Sequence, residues 1–282
     1  MEIKSVGVIG AGQMGAGIAQ VCASIGKVVT LCDIKQDFVD SGITSISKNL
    51  QRSVSKGRIS QKQMDDILAN ISTSLENKDL SNCDIIIEAI IEDVDIKKNL
   101  FSSLGDICEE RTILASNTSS IPIGVLADAS GREDKVVGMH FMNPVPVMKL
   151  VEVIRAKSTS DDTFDATFKL AEDLHKVPVL VNDFPGFVSN RILLPMLNEA
   201  MFCVMEGVAE PEAIDTVMKL GMSHPMGPLT LADFIGLDTC LAIMKVLHKD
   251  MKDDKYRPCP LLEEMVSKGK FGRKSGEGFY KY

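Results

Sequence analysis

The chain has 282 residues, 45% hydrophobic and 25% charged, with a net charge of −8 and a pI near 5.1. That length suits two domains with real cores, the acidity argues against general affinity for nucleic acid, and no run of about 18 apolar residues offers a membrane span. Seven cysteines without C-x-x-C spacing read as reduced thiols in a reducing, cytoplasmic compartment, and four histidines with no His/Cys cluster argue against a metal site.

The N-terminus "MEIKSVGVIG" enters a strand almost at once and shows no apolar h-region of a secretory signal. "VGVIGAGQMGAGIAQ" then sets Gly10, Ala11, Gly12, Gln13, Met14 and Gly15 as a G-x-G-x-x-G loop between that strand and a helical pattern. The first glycine permits a tight turn, the second lets a pyrophosphate approach the backbone, and the third lets helix and strand pack closely. The helix start supplies N–H donors and a positive dipole end. The next strand, "KVVTLCD", ends in Asp33, roughly 20 residues on, where a carboxylate can hold a ribose 2′-hydroxyl. That charge would repel a 2′-phosphate, so NAD(H) is favoured, with NADP(H) left open by the nearby Lys35. A glycine turn with no nucleotide is the competing reading, and the strand–loop–helix context weighs against it.

Residues from about 35 to 74 are too long for a simple crossover. "SQKQMDDILANI" opens with Ser60 and Gln63 spaced as a capping box, which predicts two helices projecting from the domain. Ser41 to Met64 contains no Asp or Glu but holds Lys48, Arg52, Lys56, Arg58 and Lys62. Lys48, Arg52 and Lys56 are spaced i, i+4, i+8 and share a helix face. Such a face in an acidic chain suits a polyanionic handle such as the phosphates of coenzyme A. An exposed cationic face with no ligand is the equal alternative.

"CDIIIEAI", "RTILASN", "KVVGMHF", "KLVEVI" and "VPVLV" continue the strands, with helical segments between many of them. Several are apolar on both faces, as buried parallel strands are. The pattern predicts an α/β, doubly wound, Rossmann-type, mostly parallel sheet over residues 1–185, with a helical-pair insertion at about 36–74. His140 ends one strand, and Glu152 lies on the next, beyond a Pro144/Pro146 turn. If the strands pair, Glu152 can fix the tautomer of His140, which can then exchange a proton near neutral pH. The other reading is a structural histidine satisfied by its neighbour. From Phe187 onward no strand is evident, so residues 186–282 read as an all-helical domain for substrate binding and dimerisation. "GFVSNRILLPMLNEAMFCVMEG" is apolar around most of its circumference, which suits a homodimer interface or a buried central helix, and Pro195 predicts a kink in it.

The blocks "GAGQMGAGIAQ", "EAIIEDVDIKK", "LASNTSS", "GMHFMNPVPVMKLVEVI", "PGFVSNR", "MKLGMSHPMGP", "DFIGLD" and "GRKSGEGFY" span essentially the whole chain. Together they resemble the short-chain 3-hydroxyacyl-CoA dehydrogenase family, most closely its clostridial members acting on 3-hydroxybutyryl-CoA. The resemblance implies reversible hydride transfer between NAD(H) and short 3-hydroxyacyl-CoA or 3-oxoacyl-CoA, such as acetoacetyl-CoA. It makes His140 the catalytic base, paired with Glu152. It puts Ser119 and Asn190 at the substrate's reacting oxygen or thioester, with Ser119 also near the nicotinamide. Glu92 and Lys97 would contact the cofactor ribose, and Asn143 and Lys274 would lie by the cofactor. Lys56 and Asn49 would meet coenzyme A, Asn49 standing where some relatives carry serine. "HFMNP" replaces the commoner "HFFNP", a change of similar volume. An acyl-CoA substrate, a homo-oligomer (a dimer or a dimer of dimers) and no membrane partner are implied. A dehydrogenase of a free 3-hydroxy acid and a non-catalytic crystallin-like protein on the same scaffold are the alternatives.

Overall fold

Alternating apolar runs and amphipathic segments fold here as alternating strands and helices. The computed structural model describes residues 1–282, which form two units, Met1–Asp183 and Phe184–Tyr282. The first unit runs β1 (Ser5–Ile9), α1 (Gln13–Ser24), β2 (Val28–Cys32), α2 (Gln36–Ser55), α3 (Gln61–Ala69) and β3 (Ile71–Ser74). It continues with β4 (Ile85–Glu88), α4 (Val94–Ile107), β5 (Ile113–Ser116), α5 (Ile123–Ser130), β6 (Val136–Phe141), β7 (Leu150–Arg155), α6 (Asp161–Asp173) and β8 (Val177–Asn182).

The eight strands form one sheet in the order β3-β2-β1-β4-β5-β6-β7-β8. All neighbours are parallel except β6 and β7, which pair antiparallel. The chain winds outward from β1 in one direction through β2 and β3, then returns to β4 and winds the other way. The crevice at that reversal, outside the carboxyl ends of β1 and β4, is where open α/β sheets bind ligands. β4 and β6 are buried along their whole length, as strands covered on both faces must be.

The connection from β2 to β4 departs from expectation in two ways. α2 and α3 do form, and the Ser60–Gln63 capping box is complete in both directions. They do not simply project: Val39, Ile46, Leu50, Met64 and Ile67 join the core that holds Ile18 and Ala19 of α1. The stretch also ends in β3, paired in parallel with β2 from Ile71↔Val29 to Ser74↔Cys32. "ISTS" carries one apolar side chain in four and lies at a sheet edge, so it lacks the hydrophobic run by which a buried strand is read. β8 differs as well. It is the opposite edge, and Val177, Val179 and Leu180 are exposed rather than buried.

The second unit contains α7 (Ser189–Met205), α8 (Pro211–Gly221), α9 (Pro228–Ile235), α10 (Leu237–Met251) and α11 (Pro260–Ser267). α7 continues through Pro195. Leu194, Leu197 and Met201 of α7 pack with Leu229, Leu237, Cys240, Met244 and Leu262 in a core of their own. Two buried carboxylates tie the C-terminus to this unit. Asp233 accepts from the Phe279 and Tyr280 amides at 3.0 and 2.9 Å, and Asp215 accepts from the Tyr280 hydroxyl at 2.9 Å. The "GRKSGEGFY" block is therefore a tail with fixed partners.

Candidate active site

The glycine loop has the shape a dinucleotide requires. Gly10 has φ +100, and a Cβ there would lie 2.5 Å from the Ala89 carbonyl oxygen. A Cβ at Gly15 would overlap the Gly10 carbonyl oxygen, so α1 meets β1 only because that side chain is absent. Nothing lies within 4 Å of a Cβ built at Gly12, and no side chain caps α1 there. The first turn of α1, Gln13 to Gly15, therefore offers its amides to an anion.

Asp33 closes the far side of the loop. Its carboxylate accepts from the Ala11 amide at 2.6 Å and the Ile34 amide at 2.7 Å, and it stays half-buried. It lines a cleft of about 440 Å³ with Ile9, Gly10, Ile34, Asn77 and Ile96. Lys35 stands 5.6 Å from the centre of the Phe38 ring. Glycine loop, bare helix start and terminal carboxylate together fit a dinucleotide. The Gln13 side-chain amide donates to Asn143 Oδ1 at 3.0 Å, which brings the glycine loop against the turn that follows β6.

His140 and Glu152 face each other in the antiparallel β6–β7 pair, in direct register. His140 Nδ1 lies 2.7 Å from Glu152 Oε2, and both residues are buried. The turn between the strands contains a cis Asn143–Pro144 bond. The Asn117 side chain accepts from the Phe141 amide at 2.8 Å, tying the end of β6 to the loop after β5. With Glu152 accepting from Nδ1–H, the neutral ring carries its lone pair, and so its basicity, on Nε2.

Ser119 lies in that loop, and Glu92 organises it. Glu92 Oε1 accepts from Thr118 Oγ1 at 2.6 Å, the Ser119 amide at 2.9 Å, the Ser120 amide at 3.0 Å and Ser120 Oγ at 2.9 Å. Ser119 Oγ stands 3.3 Å away. The other oxygen pairs with Lys97 at 3.1 Å. Burial pushes the Glu92 carboxyl up, but the Lys97 ammonium and these donors outweigh it and hold it below the usual glutamate range. Lys97 itself is almost wholly buried and is held at 2.6 Å by Glu88, so it meets its surroundings through two carboxylates. Glu88, Ser116, Asn117 and Thr118 escaped the sequence reading. A carboxylate closing the otherwise apolar strand "IIIE" was the signal that could have found the first of them.

Lys48 and Arg52 are exposed on α2, and Lys56 is exposed at its C-cap, so the cationic face exists as spaced; Asn49 beside it is half-buried. Asn190 and Lys274 belong to the second unit. Asn190 is in the first turn of α7, and Lys274 Nζ contacts Asp238 at 2.9 Å and Thr239 at 2.8 Å.

A reversing parallel sheet, a dinucleotide loop and a buried acid–base pair at the carboxyl end of a strand define a nucleotide-dependent oxidoreductase. Residues 5–184 match the family model "3-hydroxyacyl-CoA dehydrogenase, NAD binding domain", and residues 186–282 match "3-hydroxyacyl-CoA dehydrogenase, C-terminal domain". The chain belongs to the 3-hydroxyacyl-CoA dehydrogenase family, as its motifs imply, and NAD(H) is its cofactor. It is 61% identical to a probable 3-hydroxybutyryl-CoA dehydrogenase of Deinococcus radiodurans, over 98% of this chain and 99% of that one. It is 50% identical to the 3-hydroxybutyryl-CoA dehydrogenase of Clostridioides difficile, over 98% of each. The crystal structure of (S)-3-hydroxybutyryl-CoA dehydrogenase from Ralstonia eutropha superposes with a TM-score of 0.97 at 48% identity, covering 100% of this chain and 99% of that one. No helix here is long and apolar enough to cross a membrane.

Proposed function

We propose that this enzyme interconverts short 3-hydroxyacyl-CoA and 3-oxoacyl-CoA thioesters, acting on acetoacetyl-CoA and 3-hydroxybutyryl-CoA. NAD(H), when bound, supplies the hydride acceptor or donor. The observation that carries this reading is the His140–Glu152 contact of 2.7 Å at the sheet's ligand-binding end.

Gly10, Ala11, Gly12, Gln13, Met14 and Gly15 hold the pyrophosphate, and Asp33 takes the ribose 2′-hydroxyl. In keeping with the family resemblance, Glu92 and Lys97 serve the cofactor ribose, and Asn143 and Lys274 the cofactor. In the oxidative direction His140 Nε2 removes the 3-hydroxyl proton, and Glu152 stabilises the imidazolium that forms. In the reductive direction the protonated ring returns that proton to the nascent alkoxide. Positioned acid–base chemistry of this kind supplies about 10²–10⁴-fold. Ser119 and Asn190 hold the reacting oxygen and thioester, and Lys56, Asn49 and the cationic face of α2 hold coenzyme A. Residues 1–185 act as the NAD-binding domain and residues 186–282 as the substrate and dimerisation domain of a cytoplasmic homo-oligomer. The exposed apolar side chains Ile192 on α7 and Val217 and Leu220 on α8 support the assembly.

The test is consumption of NADH by the purified protein on addition of acetoacetyl-CoA. Steady consumption is expected, and a folded protein that leaves NADH untouched rejects the proposal.

A further inference from the structure

Glu88 has none of the roles assigned above, yet it is fully buried at the end of β4, in register with Ile9 of β1 and Ser116 of β5. Both its oxygens are engaged. Oε1 accepts from Lys97 Nζ at 2.6 Å and from the Ile90 amide at 2.7 Å, and Oε2 accepts from Ser116 Oγ at 2.6 Å. Lys97 has Glu92 as its second partner, at 3.1 Å, and Glu92 gathers the Thr118–Ser120 donors with its other oxygen. A chain of alternating charge, Glu88−, Lys97+, Glu92−, thus runs from the middle of the sheet to the turn that carries Ser119.

Neutralising a buried ammonium takes one carboxylate, and this one has two. The shorter contact goes to Glu88. Glu92 is therefore not drawn wholly onto Lys97 and lies across the Thr118–Ser120 turn instead. Without the Glu88 charge, Lys97 has Glu92 as its sole counter-ion, and the buried ammonium draws that partly exposed carboxylate closer. Glu92 would swing toward α4 and release the turn.

We propose that Glu88 is a positioning residue for the dehydrogenase reaction: by holding Lys97, it sets the lie of the Glu92 carboxylate and so the placement of the Ser119 hydroxyl. This rests on the reading of Ser119 as a residue that meets substrate and cofactor. Displacing such a group by an ångström costs up to about 100-fold in rate.

The experiment is a double-mutant cycle on kcat with acetoacetyl-CoA and NADH, run on wild type, Glu88→Gln, Ser119→Ala and the pair. Glu88→Gln is expected to lower kcat by about 10- to 100-fold. In the Ser119→Ala background it should lower kcat no further, because its effect passes through that hydroxyl. Losses that multiply, or a Glu88→Gln enzyme that melts earlier yet keeps its kcat, overturn the proposal and leave Glu88 a core ion-pair partner. If Glu88→Gln does not fold, Glu88→Asp keeps the charge but draws it back from Lys97, leaves the Ser116–Thr118 contact in place and enters the same cycle. A smaller kcat loss that disappears beside Ser119→Ala supports the role; an unchanged kcat or a multiplicative loss overturns it. A wild-type protein that consumes no NADH refutes the functional reading itself, whereas an active wild type with a multiplicative cycle refutes the role of Glu88 alone.

Discussion

His140 Nδ1 and Glu152 Oε2 lie 2.7 Å apart because their strands run antiparallel and set the two residues directly opposite each other. In a sheet otherwise parallel, this single reversal lets an acid face the imidazole across one strand spacing. Glu152→Gln preserves the shape but withdraws the negative charge that supports the imidazolium. It should lower kcat by about 10²–10⁴-fold while KM for the thioester moves little. Steady-state kinetics with acetoacetyl-CoA check this, and a kcat within a factor of a few of wild type would remove Glu152 from the mechanism.

Asp33 has a double task, and the two can be separated. Its carboxylate accepts from the Ala11 and Ile34 amides, so it braces the glycine loop in addition to the role proposed for it, repelling a 2′-phosphate. Asp33→Asn keeps an oxygen for one amide and removes the charge. The ratio of kcat/KM for NADH to that for NADPH should fall by about tenfold, corresponding to roughly 1.4 kcal/mol of lost discrimination. Competition kinetics with both cofactors measure it, and an unchanged ratio would assign specificity elsewhere in the cleft.

The cationic face of α2 gives a salt-dependent prediction. Lys48, Arg52 and Lys56 are exposed, so their attraction for phosphates is screened over about 8–10 Å at ordinary ionic strength. The Lys48→Glu/Arg52→Glu double variant should raise KM for a CoA thioester and flatten the dependence of that KM on salt. KM for NADH should not change. Equal KM values at low salt would show that this face does not carry the handle.

Glu92 links the site to pH. Its carboxyl is held below the ordinary glutamate range in the folded chain, so its interactions are fully present above the unfolded-state value and are lost as pH falls through the folded one. The melting temperature of Glu92→Gln should therefore trail wild type by a constant gap near neutral pH. That gap should begin to narrow as pH falls past the ordinary glutamate value and finish closing only below it. Calorimetry across acid pH reads it, and a gap already closed at the ordinary value would contradict the Lys97 and Thr118–Ser120 contacts as its cause.

Much of this was legible because chemistry that needs a particular backbone leaves a trace in the residues. Gly10 and Gly15 occupy positions where a side chain cannot fit, and Asp33 ends a strand that must reach the loop. His140 and Glu152 stood out as polar residues in apolar runs, and a short proline turn implied that the runs pair. What escaped depends on long-range burial. β3 is polar at three positions in four and owes its existence to the edge of β2. "VPVLV" reads as a buried strand but ends the sheet and leaves Val177 and Leu180 exposed. The charge chain of Glu88, Lys97 and Glu92 joins β4, the loop after it and α4, and Lys97 looks from its neighbours like any surface lysine of an amphipathic helix. Only the folded sheet shows it 1% exposed.

The central claim is that one imidazole moves the proton. The most direct measurement is the turnover of His140→Asn with NADH and acetoacetyl-CoA, alongside its NADH affinity by fluorescence titration. Turnover should drop by about 10²–10⁴-fold with NADH still bound as tightly as by wild type. A variant that keeps near-normal turnover would contradict the account.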